Sequence, residues 1–311
     1  MPTLAPFKNF AMQIAHLGEI TGILTAICWT ISAITFSLAT RRAGSLTVNL
    51  FRLLFAMIMY MVWSKVMRGL WLPTDASPES WKWLSVSGFI GFVLGDYFLF
   101  TSYSYQSAKV SMLIMSLAPP IATIFGVLVL HESFTLLNLL GMVLVLSGIA
   151  IVILKRESVD DKMTHGLNYP LKGLLLAFGG AAGQGIGAVF SKLGMGSYDP
   201  FASSQIRTVT GIIGFLLIIS LTKNWKSVKT SILHSKAIKP LLVGSFFGPF
   251  LGVSLSLLAF QHTKVGVAST LIATVPVFIL LPSVLFLGEK LNWKEVIGAF
   301  LAVGGMFVFF I

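Results

Sequence analysis

Charged residues are scarce in this sequence. Only 11% of its 311 residues are Asp, Glu, Lys or Arg and 56% are hydrophobic, whereas soluble domains carry about 25% charged residues. With a mean hydropathy of +0.89, the chain has more apolar surface than a soluble domain can bury. The composition therefore excludes a soluble globular protein and predicts a protein of the bilayer, which requires apolar stretches of about 20 residues.

Cysteine is nearly absent as well, since Cys28 is the single one in the chain. One cysteine excludes an intramolecular disulfide and a metal site built on thiolates. The triplet from His131 to Ser133 lacks the second histidine of a zinc-protease helix, and no phosphate loop or nucleophile elbow occurs. These absences predict that the protein is not an enzyme or an ATP-driven pump, and that it has no catalytic residue, metal or cofactor.

Acidic residues are outnumbered by basic ones, 11 against 22, which gives a net charge of +11. The basic residues lie between apolar stretches, so the predicted partner of this charge is anionic membrane lipid and not nucleic acid. With a cytoplasmic N-terminus, six basic residues would fall in cytoplasmic loops and fourteen on the opposite side. The positive-inside rule therefore predicts that both termini lie outside.

Ten apolar spans, each bounded by charged or turn-forming residues, occupy most of the chain. They run over residues 20–40, 46–64, 83–105, 108–130, 134–154, 171–191, 201–222, 240–261, 265–287 and 291–311. The predicted fold is an all-α integral membrane protein with ten transmembrane helices. Its predicted segments are an N-terminal segment (1–18), a first five-helix repeat (19–154), a polar linker (155–170) and a second five-helix repeat (171–311).

The two halves are copies of one unit, because residues 95–132 recur at 248–289. At a shift of 155 residues, the matched pairs are Gln106 and Gln261, Lys109 and Lys264, Arg52 and Arg207, and Gly18 and Gly173. At a shift of 157, they are Pro119 and Pro276, Glu132 and Glu289, Gly141 and Gly298, and Gly148 and Gly305. Copies with an odd number of spans enter the membrane from opposite sides, which predicts the inverted repeat common among secondary transporters. Duplication for stability alone is the alternative.

Asp96 lies near the middle of the third span, where an ionised carboxylate costs about 3 kcal/mol or more. One interpretation is a protonatable or substrate-contacting group that faces a central cavity. The other is a carboxylate paired with Arg52 or with a helix end. Pro249 is taken as the counterpart of Asp96 in the second half, so Asp96 is interpreted as lying outside the duplicated framework.

Two further sets of residues recur inside apolar spans of both halves. Arg52 and Arg207 are equivalent, which favours a structural role, such as snorkelling to headgroups or satisfying carbonyls, over substrate contact. Pro119, Pro120 and Pro276 remove backbone donors in spans four and nine. They are candidate hinges near a binding site, with static kinks that improve packing as the alternative.

Small residues mark the sixth span, where Gly179, Gly183 and Gly187 share one helical face. This spacing predicts a close approach of another helix, as do the matched glycines of spans five and ten. Gln184 lies beside that face, and its counterpart at a shift of 155 is Trp29. We hypothesise that the amide and the aromatic ring bracket a small amphipathic solute across the pseudo-axis.

The second part of each half resembles a known family. The segment SLAPPIATIFGVLVLHESFTLLNLLGMVLVLSGIAIVIL has a proline in a span, a helix that ends in a short x-Glu turn and a glycine-bearing fifth span, and it is repeated as TVPVFILLPSVLFLGEKLNWKEVIGAFLAVGGMFVFF. From Glu19 to Ile311 the chain thus resembles two tandem units of the EamA-like branch of the drug/metabolite transporter superfamily. It departs from the pattern in having His131 where the second half has Gly288.

The resemblance implies a ten-helix inverted repeat around a central cavity, and outward movement of small metabolites, often amino acids or other amphipathic solutes, by alternating access. It also implies cytoplasmic termini, against the loop charges. The candidates for substrate binding or coupling are Trp29, Asp96, Tyr97, Met115, Gln184, Ser254 and Thr270.

The expected protein is a multi-pass secondary transporter of the plasma or inner membrane that exports small metabolites, with Asp96 as the first candidate for proton coupling or substrate contact. Its partners would be a small solute and membrane lipids, and the sequence does not indicate its oligomeric state. The alternative is a lipid-handling or structural membrane protein without a soluble substrate. A cavity that opens sideways to the bilayer would favour that alternative.

Overall fold

The computed structural model describes residues 16–102, 105, 111, 114–160, 170–226, 228, 235–278, 280 and 293–311. Within these residues the chain forms helices and turns without a strand, which confirms the predicted all-α fold for this part of the chain. The repeat residues Gln106, Lys109, Gly288 and Glu289 lie outside the described part.

The described residues of the first half form seven helical segments. They are α1 (Leu17–Ala43), α2 (Ser45–Arg68), α3 (Pro78–Gly88), the π-helical segment π1 (Phe89–Gly95), α4 (Asp96–Ser102), α5 (Ala118–Leu130) and α6 (Leu136–Asp160). Helix α2 ends at Gly69, whose φ of 74° is left-handed and suits glycine. Helix α5 ends at His131 with a φ of 54°, so this histidine takes a position where glycine is usual.

Eight helical segments occur in the part of the second half that the structure describes. They are α7 (Leu171–Met195), α8 (Pro200–Leu221), α9 (Ser235–Ser245), the π-helical segment π2 (Phe246–Gly252), α10 (Val253–His262), α11 (Val265–Ile272), α12 (Val275–Phe278) and α13 (Trp293–Val308). At the start of α8, Asp199 accepts a hydrogen bond from the backbone N of Ala202 at 2.8 Å. Pro200 fits the first helical position, where no donor is needed.

Five helices in the described part are long and apolar enough to cross a membrane. They are Leu17–Phe36, Leu46–Arg68, Leu171–Met195, Pro200–Leu221 and Ala237–His262. Four shorter apolar helices accompany them: Ala118–Leu130, Leu136–Ile151, Val265–Phe278 and Val296–Val308. The structure thus supports an integral, multi-pass membrane protein. The third predicted span contains π1 and runs beyond the last residue of α4.

The π-helical segments give the register of the two halves. Phe89 and Phe246, their first residues, are 157 positions apart. Asp96 therefore corresponds to Val253, and its predicted pairing with Pro249 is wrong. The second half still has no carboxylate at the equivalent position.

The fourth and ninth predicted spans are interrupted at matching places. A turn at 116–117 precedes α5, and a turn at 273–274 separates α11 from α12. Pro119 and Pro276 each stand in the first turn of the helix that follows, as does Pro120. A proline there loses no intrahelical hydrogen bond, because the first N–H groups of a helix have no intrahelical acceptor. Whether these breaks act as hinges stays a prediction.

Helices α6 and α13 pack through the matched glycines. A Cβ on Gly148 would lie 2.5 Å from the carbonyl oxygen of Gly298, and one on Gly305 would lie 2.9 Å from that of Gly141. The two backbones therefore touch with no room for a side chain, which is the close packing expected of small residues in membrane helices.

This crossing predicts different effects for two glycines. We expect Gly148→Ala to lower the free energy of unfolding by about 1–3 kcal/mol, because its methyl group would overlap the facing backbone. Gly304→Ala is the control, since a Cβ there meets nothing within 4 Å, and we expect it to be neutral or to stabilise the helix by up to about 1 kcal/mol. Thermal unfolding of both variants in detergent checks this, and equal midpoints would contradict the packing.

Candidate functional site

Residues from both halves line a cavity of about 320 Å³. Its charged and amide side chains are Arg52, Asp96, Gln184 and Arg207, and its large apolar side chains are Trp29, Phe36, Phe92, Met115 and Phe260. Ligand pockets have volumes of about 300–1,000 Å³, with mainly apolar walls and a few placed polar groups. The cavity therefore has the size and chemistry to hold a small amphipathic solute.

Asp96, at the start of α4, is held by side chains from two other helices. Its Oδ2 accepts a hydrogen bond from Nη2 of Arg52, with which it forms an ion pair. Its Oδ1 accepts a hydrogen bond from Nε2 of Gln184 at 3.0 Å. Because the carboxylate is only 7% exposed, these partners are what makes its charge tolerable in an apolar surrounding. Asp96 thus pairs with Arg52, as one interpretation predicts, and it also lines the cavity. That it takes up a proton or contacts a solute stays a prediction.

Glycines allow α7 to come close enough to bring Gln184 to Asp96. A Cβ on Gly183 would lie 2.7 Å from Cα of Gly95, and one on Gly187 would lie 3.1 Å from Cα of Gly91. The small-residue face of α7 thus packs directly on the backbone of π1, as its spacing predicts. π-Helical turns are frequent at functional sites, and here π1 leads directly into Asp96.

Segment π2 packs against α1 in the same way as π1 packs against α7. A Cβ on Gly252 would lie 2.6 Å from ring atoms of Trp29, and one on Gly95 would lie 3.5 Å from Nε2 of Gln184. Gly95 and Gly252 are the matched last residues of π1 and π2. Trp29 and Gln184 therefore take equivalent places and both line the cavity. That they bracket a solute stays a prediction.

Arg207 on α8 also lines the cavity and is 5% exposed. Its guanidinium carbon lies 4.6 Å from the centroid of the Phe92 ring. Arg52, its counterpart, lies 5.9 Å from the centroid of Phe36. The sequence favoured snorkelling or carbonyl contacts for this pair, and the structure instead has both guanidinium groups in the cavity wall.

The predicted site residues divide into two groups. Those that line the cavity are Trp29, Asp96, Met115, Pro119, Gln184 and Pro276, and those outside its lining are Tyr97, Pro120, Ser254 and Thr270. Tyr97 is 38% exposed. Ser254 and Thr270 are fully buried, and their hydroxyls donate to the carbonyl oxygens of Phe250 and Gly266, both at 2.7 Å.

Sequence reasoning gave too little weight to the two arginines. The available signal was that each half carries one arginine inside an apolar span, at equivalent positions. Ionisable residues in membrane helices face the interior or a cavity far more often than lipid. For α10, the cavity-facing residues Val253, Ser256 and Phe260 follow helical spacing, and this face excludes Ser254.

Polar contacts join the two halves at one end of the helix bundle. Glu132 accepts hydrogen bonds from Nζ of Lys192 at 2.6 Å and from the backbone N of Val265 at 3.0 Å. Lys192 also donates to the carbonyl oxygen of Thr263 at 2.7 Å, and the Thr263 hydroxyl donates to Glu19 at 2.6 Å. We name these five residues the end layer. Glu132 thus lies where residues of the two halves meet.

A second polar cluster lies beside the end layer, where α2 ends and α8 begins. Arg68 pairs with Asp75 and donates to the Tyr198 hydroxyl at 2.9 Å, and Tyr198 donates to Asp75 at 2.8 Å. Partial burial opposes ionisation of Asp75, but hydrogen bonds from Tyr198 and Arg68 outweigh it and hold the pKa of Asp75 below its usual value. Burial and the neighbouring carboxylate raise the pKa of Tyr198 to about 12, so Asp75 is charged and Tyr198 neutral at physiological pH.

The polar groups of the site are suited to binding a small molecule. Within the described residues, no group of three or more His, Cys, Asp and Glu side chains could hold a metal ion. A carboxylate, an amide and two guanidinium groups face an apolar cavity, which are groups that recognise polar parts of a small molecule.

Comparison with known families identifies the family to which the chain belongs. The model of the EamA-like transporter family matches residues 16–154 and again residues 171–311. The chain therefore belongs to the EamA-like transporter family, with two tandem EamA units of the drug/metabolite transporter superfamily, as the resemblance implied. Members of this family are membrane transporters.

Comparisons with individual proteins add support for the fold. Among solved structures, 29 chains match. One of them, described as "Crystal structure of protein", is 18% identical, covers 94% of this chain and 94% of its own, and superposes with a TM-score of 0.70. At this identity the likeness speaks for the fold alone. No curated protein matches the chain.

The pairing of Arg52 with Asp96 predicts a non-additive effect on stability. Arg52→Gln should lower the free energy of unfolding by about 3–5 kcal/mol, because it leaves a buried carboxylate without its countercharge. The double variant Arg52→Gln/Asp96→Asn removes both charges and should recover much of that loss. Thermal unfolding in detergent compares the two. A double variant no more stable than Arg52→Gln would contradict the pairing.

Proposed function

We propose that this chain is a secondary-active transporter that exports small amphipathic metabolites, such as amino acids, by alternating access. Membership of a transporter family supports the class. The observation that carries the proposal is the cluster of Arg52, Asp96 and Gln184 in the wall of a cavity that both halves line. Ionisable groups inside membrane segments are costly, and they commonly mark the path of a solute or an ion.

The transmembrane arrangement that we propose has ten spans in two inverted five-helix repeats. Matching features at equivalent positions support it. These are π1 and π2, the breaks before Pro119 and Pro276, the arginines Arg52 and Arg207, and the glycine crossing of α6 and α13. Transporters with inverted repeats bind their substrates between the repeats, often at interrupted helices, which is how α5, α11 and α12 meet this cavity.

Alternating access requires that the two halves separate at one end while they close at the other. The end layer joins residues of both halves at one end, so a solute that leaves there needs the contact between Glu132 and Lys192 to open. The helix breaks before Pro119 and Pro276 would let α5 and α12 tilt without bending a continuous helix. We infer that these prolines act as hinges.

Asp96 is the group that we propose for proton coupling. Protonation would remove the negative charge that pairs with Arg52, so the Arg52 guanidinium would lose its countercharge and become available to the cavity. A proton on Asp96 would thereby change the charge and the hydrogen-bonding groups that a solute meets. Coupling requires such differential interaction with the two states of the site.

The test is an untargeted comparison of metabolites in medium and cytosol. Cells of one strain would express the wild type, Asp96→Asn, Asp75→Asn or an empty vector. We expect one class of solute to move outward with the wild type and with Asp75→Asn, whose carboxylate lies outside the cavity, and Asp96→Asn to lose proton-linked movement while it remains folded in the membrane.

Two outcomes would contradict the proposal. Unchanged proton-linked flux in Asp96→Asn would remove Asp96 from coupling. Identical profiles for all four strains, with the protein shown to be folded, would argue against a solute transporter. The next measurement would then be lipid scrambling in vesicles, because a lipid-handling protein is the alternative.

A further inference from the structure

We propose that the cavity binds organic anions, and that the Arg207 guanidinium is the main contact for their carboxylate or other oxyanion group. The inference rests on the proposed function, because it names the substrate class of that transporter. It narrows the range of small amphipathic solutes to those with a net negative charge and an apolar body.

The first observation is that Arg207 has no acceptor within the described part of the chain. A guanidinium carries five N–H donors, yet Arg207 forms neither a hydrogen bond nor an ion pair with the described residues, and its Nε is buried without a partner. The side chain is only 5% exposed and lines the cavity. A buried charge is expensive without a partner, so an anion in the cavity would supply what Arg207 lacks.

The second observation is the way in which Arg207 is held. Its guanidinium lies 4.6 Å from the ring centroid of Phe92, a distance typical of cation–π contacts, which favour the charged form. Gly91 provides the space, because a Cβ there would lie 3.3 Å from Nη2 of Arg207. The ring and the glycine backbone orient the guanidinium but accept none of its N–H groups.

The third observation is the charge balance of the cavity. Among the described residues that line it, Arg52 and Arg207 are cationic and Asp96 is the only carboxylate. Asp96 neutralises Arg52 through their ion pair. One positive charge is left, on Arg207, and a bound monoanion would make the site neutral, whereas a cation would increase its net charge.

The apolar side chains of the cavity wall determine which ligand body fits. Trp29, Phe36, Phe92, Met115 and Phe260 present apolar surface around the polar groups. A cavity of about 320 Å³ is near the lower limit for small-molecule sites. The best ligand is therefore a small carboxylate with an aromatic or aliphatic body, which places its head on Arg207 and its body against the aromatic side chains.

The experiment uses four compounds that share one phenylethyl skeleton but differ in charge. They are 3-phenylpropionate, its neutral amide 3-phenylpropanamide, zwitterionic phenylalanine and the cation phenethylamine. Titration calorimetry and thermal shifts would be measured on the full-length protein purified in detergent. We expect 3-phenylpropionate to bind most tightly and to raise the unfolding temperature, phenylalanine to bind more weakly, and the amide and the amine not to bind.

Variants of three arginines locate the anion contact. Arg207→Gln keeps hydrogen-bond donors but removes the charge, and it should weaken binding of 3-phenylpropionate at least about tenfold, or 1.4 kcal/mol. Arg207→Lys should restore part of that affinity. Arg68→Gln is the matched control, since its guanidinium lies in the cluster with Asp75 and outside the cavity lining, and it should bind as the wild type does.

Binding of the four compounds to the wild-type protein tests the anion site even if one of the variants does not fold. Equal affinity for the amide or the amine, or no binding of 3-phenylpropionate at about 1 mM, would overturn the anion site. An unchanged affinity in folded Arg207→Gln would overturn the role of Arg207. These outcomes leave transport itself standing if the metabolite comparison finds an exported solute. Binding of the anion without any exported solute would instead overturn the proposed function.

Discussion

A carboxylate buried among membrane helices must have its charge balanced by the protein, and this requirement governs the centre of the structure. Asp96 meets it through an ion pair with Arg52 and a hydrogen bond from Gln184. The three residues come from α4, α2 and α7, so they can meet only where helices from both halves converge. The cavity at this place is therefore a consequence of how the halves pack, and it carries the polar groups of the site.

Glycines allow the helices to approach one another closely around the cavity. Segments π1 and π2 present glycines at matching positions, and Gly183 lets α7 touch the backbone at Gly95. At segment π2, Trp29 of α1 lies against Gly252 in the same way. One framework thus holds an amide in one half and an aromatic ring in the other. The duplicated repeat provides the backbone framework, and sequence differences between its two copies provide the different side chains that line the cavity.

Composition and repetition were enough to predict an all-α membrane fold and the close packing of glycine faces, because apolar spans and matched glycines are visible in the chain. The family was predicted from the resemblance of the second part of each half. Loop charges and the family resemblance disagree on orientation, since charge bias and ancestry are separate signals. The sequence could not assign Ser254 and Thr270 to buried positions outside the cavity, because a shift of one or two residues turns a side chain to another face. Arg207 was undervalued because apolar spans do not show which helices surround it.

Thiol labelling shows whether a solute in water can reach the cavity between the halves. In a Cys28→Ala background, Ser256→Cys would place a thiol in the cavity wall, and Ser254→Cys would place one on the same helix outside the cavity lining. A charged, membrane-impermeant methanethiosulfonate would be applied to either face of membrane vesicles. We expect modification at position 256 and protection at position 254. Equal labelling of the two, or no labelling at 256 from either face, would contradict it.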